Sequence, residues 1–292
     1  MIVDCHTQVW DPRNHLGPPA ATLAEHVQPA DAARHLKAVD PVDRAIVLAF
    51  KSRYLDAEIP NRYVAEYVRQ YSSKLVGFAG VDPTEPNWLH ELRVAHEELG
   101  LKGVTISPAM QNYHPTDTRA MRLYEECVRR RLPVLFEQNH RRSAAKLEFA
   151  QPVLLDEVAR EFPELRVVIS HMGYPWIEQT VVLLDKHPHV YADIAGLHLR
   201  PWLAYNALLA AHEAEVMGKL LFASDFPHLS PAECIKALYS LNQISHGTNL
   251  KAIPREQLRG IVERDALGLL GIEPPAAAPA SRNKAGIFVE DE

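Results

Sequence analysis

The sequence predicts an α/β fold, a (β/α)8 barrel with a flexible C-terminal tail. Eight strand-length runs rich in Val, Ile and Leu recur along its 292 residues. Helix-period stretches alternate with them, and strand starts after the first gap fall roughly 30 residues apart, about one βαβ unit. No G-x-G-x-x-G or G-x-x-x-x-G-K follows any run, which removes the usual nucleotide reasons for the runner-up, an open doubly wound sheet. The expectation is a single TIM barrel over 1–271 and a Pro/Ala-rich tail over 272–292.

In chain order the runs are Ile2–His6, Ala45–Phe50, Leu75–Gly80, Gly103–Ser107, Pro133–Glu137, Arg166–Ser170, Val190–Ile194 and Lys219–Ala223. They are mostly continuous rather than alternating, as strands buried on both faces should be. The first connection, Trp10 to Pro29, carries four prolines and is expected to be a long loop over the barrel. Helical periodicity follows over Ile59–Tyr71, Arg119–Arg131, Val153–Phe162 and Leu203–Met217, where apolar residues recur at i, i+3 and i+4. Ser230-Pro231-Ala232-Glu233 is a capping box that starts a helix after the eighth run. Leu99-Gly100 and Met217-Gly218 are expected helix ends.

Composition limits the function classes. Hydrophobic residues make up 47% and charged residues 23%, ordinary values for a globular chain. The net charge of −6 argues against a nucleic-acid binder. No segment reaches the roughly 20 apolar residues of a membrane span, and the N-terminus lacks a signal-peptide pattern. Three cysteines without a C-x-x-C suggest neither a disulfide framework nor a thiolate zinc site. A cytoplasmic location is expected. So is a small-molecule substrate as partner, with no nucleic acid and no membrane; homo-oligomerisation stays open.

In such a barrel the active site lies at the C-terminal ends of the strands. The polar residues there are Asp4, His6 and Gln8; Lys51 and Arg53; Glu137, Asn139 and His140; His171; Asp193, His198 and Arg200; and Asp225 and His228. His6 and Gln8 are two apart on a strand and so share a face. Glu137, His171 and Asp225 add carboxylates and an imidazole from three other strands. Metal-assisted hydrolysis needs such a set, with Asp225 able to take a proton from water and His171 to polarise the breaking bond. A Glu ending an apolar strand needs a partner, a metal or a cation such as Lys51, Arg53 or Arg141. Lys51, Arg53, Asn139, His140, His198, Arg200 and His228 are candidates for holding substrate, since Arg offers carboxylates a bidentate fork. Ordinary loop solvation explains each basic loop residue, taken singly, at least as well. Trp10, Tyr113, Trp176 and Trp202 either wall an aromatic substrate or simply pack. Asp193 can hold the end of its strand through backbone contacts. Most other histidines read as surface or packing residues.

Three segments carry a family resemblance: Asp4-Cys5-His6-Thr7-Gln8-Val9-Trp10, Val167-Val168-Ile169-Ser170-His171-Met172-Gly173, and Leu221-Phe222-Ala223-Ser224-Asp225-Phe226-Pro227-His228. Together they resemble the amidohydrolase superfamily, nearest its amidohydrolase-2 branch of decarboxylases, lactonases and other hydrolases. The likeness runs from Met1 to about Gly271. It implies metal-ligand positions at His6, Gln8, Glu137 and Asp225 and a catalytic or ligating imidazole at His171. Two of these positions depart from the family, which places His where this chain has Gln8 and Glu137. Oxygen donors favour harder ions, so the resemblance implies one divalent metal, zinc, or manganese or magnesium, with a metal-free site as the alternative. The implied activity is metal-dependent hydrolysis of a small substrate, carboxylated, aromatic or a lactone. Non-oxidative decarboxylation on the same site and a degenerate ligand-binding barrel are the alternatives.

Overall fold

The computed structural model describes residues 1–11, 15, 30–137 and 145–272. Most of the proline-rich first connection, Asn139, His140, Arg141 and the tail after Ile272 lie outside them. Eight parallel strands form a nearly closed barrel with helices outside. They are β1 (Val3–Thr7), β2 (Arg44–Leu48), β5 (Leu75–Gly80), β6 (Val104–Ile106), β7 (Val134–Phe136), β8 (Val167–Ile169), β9 (Val190–Asp193) and β10 (Leu220–Leu221), each beside the next in that order. Backbone bonds from Cys5 N–H to the Phe222 carbonyl (2.9 Å) and from Gln8 N–H to the Phe226 carbonyl (3.0 Å) bring the last strand back to the first. Every predicted run thus overlaps a barrel strand.

The strand pleat divides the core in two. Val3, Cys5, Ile46, Leu48, Val76, Phe78, Leu135, Val168, Tyr191 and Leu221 belong to one buried cluster inside the barrel. Their sequence neighbours, such as Ala45, Val47, Val134 and Val167, face the helices in a second, larger cluster. Side chains pointing to alternate faces, both dry, explain the continuous apolar runs. Burying a Leu or Phe there contributes about 1.5–3 kcal/mol. The last helix, Ala266–Leu269, adds Ala266 and Leu267 to the inner cluster.

Helices at Asn61–Gln70, Thr118–Arg129 and Pro201–Glu213 match three predicted ones, and a helix over Leu155–Glu161 follows a 3-10 turn where Val153–Phe162 was expected. The Ser230 capping box is present, opening the helix Pro231–Tyr239. Two expectations need correction. The run Ala45–Phe50 is not one strand: β2 stops at Leu48, and Phe50–Ser52 (β3) pairs antiparallel with Ala57–Ile59 (β4). Phe50 backbone lies so close to Gly80 that an added Cβ there would come within 2.6 Å of it, which fixes where the chain turns out of the barrel. Met217-Gly218 is not a helix end either. The helix ends at Glu213, Glu215 takes the left-handed conformation (φ 60°), and Gly218 sits inside a 3-10 turn. Among the described residues no helix is long and apolar enough to cross a membrane.

Candidate active site

The C-terminal ends of β1, β7, β8, β9 and β10 bring His6, Glu137, His171, Asp193 and Asp225 together. His6 is buried, and its Nδ1 lies 3.0 Å from Asp193 Oδ2. A carboxylate accepts, so Nδ1 carries the proton and Nε2 faces Glu137 Oε2 (3.5 Å) and Asp225 Oδ1 (4.0 Å). His171 repeats this logic. Its Nδ1 donates to the Ala195 carbonyl at 2.9 Å, which leaves Nε2 facing Glu137 Oε1 at 3.4 Å. The two rings lie 5.0 Å apart between centroids. One donor atom from each of His6, His171 and Asp225 falls within 4.8 Å of the others.

Strained backbone presents these groups, and neighbouring polar groups hold it. His171 and Met172 both have left-handed backbone (φ 54° and 48°), as does Asp225 (φ 66°). Each such residue costs on the order of 1–2 kcal/mol. Asp193 Oδ1 offsets part of this by accepting the N–H groups of His171 (2.8 Å) and Ala195 (3.0 Å). The backbone role expected of Asp193 is therefore present, and the same carboxylate also orients His6. Asp225 N–H donates to the His6 carbonyl (3.1 Å), and its own carbonyl accepts from His228 N–H (2.8 Å). Asp4, fully buried, accepts from Ser224 N–H (2.9 Å) and ties β1 to the segment bearing Asp225. Burial pushes its carboxyl up to about 6, against the hydrogen bonds it accepts. Gly196 fits because nothing larger would: its φ is +65°, and a Cβ there would lie 2.7 Å from Asp225 Oδ2.

The charges explain one another. Burial alone would lower the His6 pKa, but Asp193 and Glu137, with Asp225, outweigh it and push it up to about 10. His171 is raised too: burial lowers it, and Asp225 and Glu137 more than compensate. Burial raises Glu137 and Asp193, yet the imidazoles, His6 foremost, hold both below the usual carboxylate range. A pocket that draws protons onto two imidazoles equally favours a divalent cation. Nitrogen and carboxylate donors facing one point fit such an ion. His6 and Asp225, with Glu137 and the half-buried Gln8 beside them, could hold it. Gln8 Nε2 lies 3.5 Å from Glu137 Oε2, so the side chain reaches the edge of the cluster.

Among the described residues Glu137 therefore meets imidazoles and an amide, and not Lys51 or Arg53, two of the cations that the sequence offered as partners beside a metal; Arg141, the third, lies outside the described residues. Lys51 pairs with Glu91. Arg53 is exposed, its N–H donating to Asp82 (2.8 Å) and its guanidinium touching the Thr84 carbonyl. Arg200, also exposed, lies 5.1 Å over the Tyr174 ring. The His228 ring is exposed, and only its backbone N–H reaches Asp225. His198 is buried just beyond Gly196; neither ring nitrogen has a partner among the described residues, and burial lowers its pKa to about 4. Among the aromatic residues Trp10 and Tyr113 are buried, while Trp202 is 58% exposed and stacks on Tyr205. Sequence reasoning missed the orienting role of Asp193 and the need for glycine at 196. The available signal was a carboxylate closing an apolar strand with Gly three residues on.

The sequence profile of the amidohydrolase family matches residues 3–272. No curated protein matches the chain. An uncharacterised TIM-barrel protein from Bordetella bronchiseptica superimposes with a TM-score of 0.70 at 18% identity, over 93% of this chain and 98% of that one. A probable 2-pyrone-4,6-dicarboxylic acid hydrolase from Acinetobacter baumannii, with citric acid bound, gives 0.65 at 18% identity, over 92% and 99%. A dihydroxybenzoic acid decarboxylase from Polaromonas, with bound manganese and 2-nitroresorcinol, gives 0.63 at 14% identity, over 93% and 97%. At these identities the likeness is one of fold.

Proposed function

The chain belongs to the amidohydrolase family, and we propose that it is a metal-dependent hydrolase of a small carboxylated molecule. The observation that carries this reading is the convergence of His6, His171 and Asp225 within 4.8 Å, each imidazole held by its Nδ1–H. In this reading His6 and Asp225, together with Glu137 and Gln8, would hold a divalent ion. Such an ion supplies Lewis-acid polarisation and neutralises charge on an anionic substrate. Asp225 takes the proton of the attacking water. His171 Nε2 holds a proton at the oxygen or nitrogen of the breaking bond, and its bond to Ala195 keeps the ring turned to that point. Asp193 fixes His6 and the backbone of His171 together, so the two imidazoles keep their spacing. The substrate class draws support from two fold relatives whose named substrates are small carboxylic acids.

The test is product analysis in water labelled with heavy oxygen. Protein stripped by chelator and reloaded with Mn²⁺ or Zn²⁺ is given small lactones and carboxylated aromatic compounds. Label entering the product supports hydrolysis. Release of carbon dioxide without label would overturn it in favour of decarboxylation, and saturable binding without turnover would overturn it in favour of a binding barrel.

A further inference from the structure

The opposite end of the barrel carries a second cluster of charged groups. The turns that lead into β7, β8 and β9 enclose a cleft of about 390 Å³, lined by Arg131, Glu164, Arg166 and His189 over Cys127 and Leu165. Arg131, Glu164, Leu165, Arg166 and His189 lie just before these strands, and Cys127 is in the helix that precedes β7, so the cleft lies at the N-terminal end, away from His6 and Asp225. We propose that this cleft is a binding site for a small oxyanion, a molecule bearing a phosphate or carboxylate group.

Unpaired charge is the first support. Nearby arginines are committed: Arg129 pairs with Glu126, and Arg130 with Glu97 and Glu126. Among the described residues neither Arg131 nor Arg166 has a carboxylate within ion-pair distance, although Glu164 lines the same cleft. Two free guanidiniums against one carboxylate make the cleft cationic in a chain that is net acidic. Guanidiniums bind phosphate and carboxylate oxygens bidentately. A second support is His189, which lines the cleft; its Nδ1 is closed off from solvent and has no partner among the described residues.

The backbone fixes where Arg131 sits. The helix Thr118–Arg129 ends with Leu132 N–H bonding to the Cys127 carbonyl (2.8 Å) and Arg131 N–H to the Val128 carbonyl (3.0 Å). This closure requires a left-handed residue, ordinarily Gly, at position 131. The chain uses Gly100 (φ 77°) just after an earlier helix end, yet here it keeps Arg131 at φ 56°. The same closure holds Glu215 left-handed (φ 60°) at another helix end, so the dihedral fixes where the Arg131 side chain starts, and the charges of the cleft carry its role. The volume lies within the range of small-ligand pockets. Arg166 is positioned by packing where a Cβ on Gly271 would otherwise sit.

Inorganic phosphate and succinate serve as probes, titrated calorimetrically into wild type, Arg131→Gly and Arg166→Met. Arg131→Gly keeps the helix end, since glycine suits the left-handed position. Either probe should bind wild type, more weakly at high salt, and each variant should lose about ten- to hundred-fold in affinity. Tighter binding of phosphate would identify a phosphate ligand, and of succinate a carboxylate ligand; either supports the site. Absence of binding to wild type would overturn the proposal. So would binding that survives in Arg131→Gly and Arg166→Met but disappears in His6→Ala, which would place the anion at the rim.

Discussion

At the C-terminal rim His171, Met172 and Asp225 hold left-handed backbone, and at the N-terminal end Arg131 and Glu215 do the same. The surroundings differ. At the rim, groups from other strands fix the conformation: Asp193 accepts the His171 N–H, and the His6 carbonyl accepts from Asp225. At the other end each strained residue closes its own helix. Glu215 and Val216 donate back to His212 and Ala211 much as Arg131 and Leu132 do to theirs. Rim charges are buried and balance one another, whereas Arg131 and Glu215 are exposed. The same dihedral is thus part of a long-range network at one end and a local helix stop at the other. Rim substitutions should cost function first, and helix-stop substitutions should change stability slightly, in the favourable direction.

Asp225→Asn should show the largest effect. It keeps size and backbone but removes the base, so kcat should fall about 10²–10⁴-fold while the circular dichroism spectrum is unchanged. Turnover near the wild-type level would remove Asp225 from the chemistry. Asp193→Asn comes next, because it disturbs the orientation of His6 without touching the ion. Metal affinity should drop about 10–100-fold, read by competition with a chelating dye. Gly196→Ala forces a Cβ to within 2.7 Å of Asp225 Oδ2. It should lower kcat with a modest loss of stability, about 1 kcal/mol or more.

A pH effect separates the balanced imidazoles from an isolated one. His35 is buried, its Nδ1 bonds Tyr67 Oη at 2.8 Å, and burial lowers its pKa to about 3. The folded pKa lies below the unfolded value of about 6.5, so the unfolded chain binds the extra proton. The stability this gives is complete above about pH 6.5 and is lost as pH falls toward 3, by up to about 1.4 kcal/mol per unit. Urea unfolding at pH 7 and 5 should show a drop of about 2 kcal/mol that is smaller in His35→Gln. An equal drop in both proteins would assign the acid sensitivity elsewhere. The smallest effect belongs to Arg131→Gly, which should raise stability by about 1 kcal/mol by relieving the left-handed arginine.

The barrel was legible because both strand faces are dry, which prints an apolar run on the sequence at each strand. The β3–β4 hairpin was not, since Phe50 continues the run of β2 and only the tertiary contact with Gly80 ends it. His6, Glu137, His171 and Asp225 stood out as polar residues at apolar strand ends. The loop cations did not sort themselves by sequence. Lys51 sits at a strand end too, yet Glu91, forty residues away, holds it. Glu137 satisfied by imidazoles, and Asp193 serving two histidines at once, are three-dimensional facts that strand position alone does not carry.

Calorimetric titration of Mn²⁺ into chelator-stripped protein tests the rim most directly. Wild type should bind about one ion per chain, His6→Ala none, and His171→Asn should retain the ion while losing turnover. Absence of binding to wild type, or equal binding to wild type and His6→Ala, would contradict a metal centre built on His6 and Asp225.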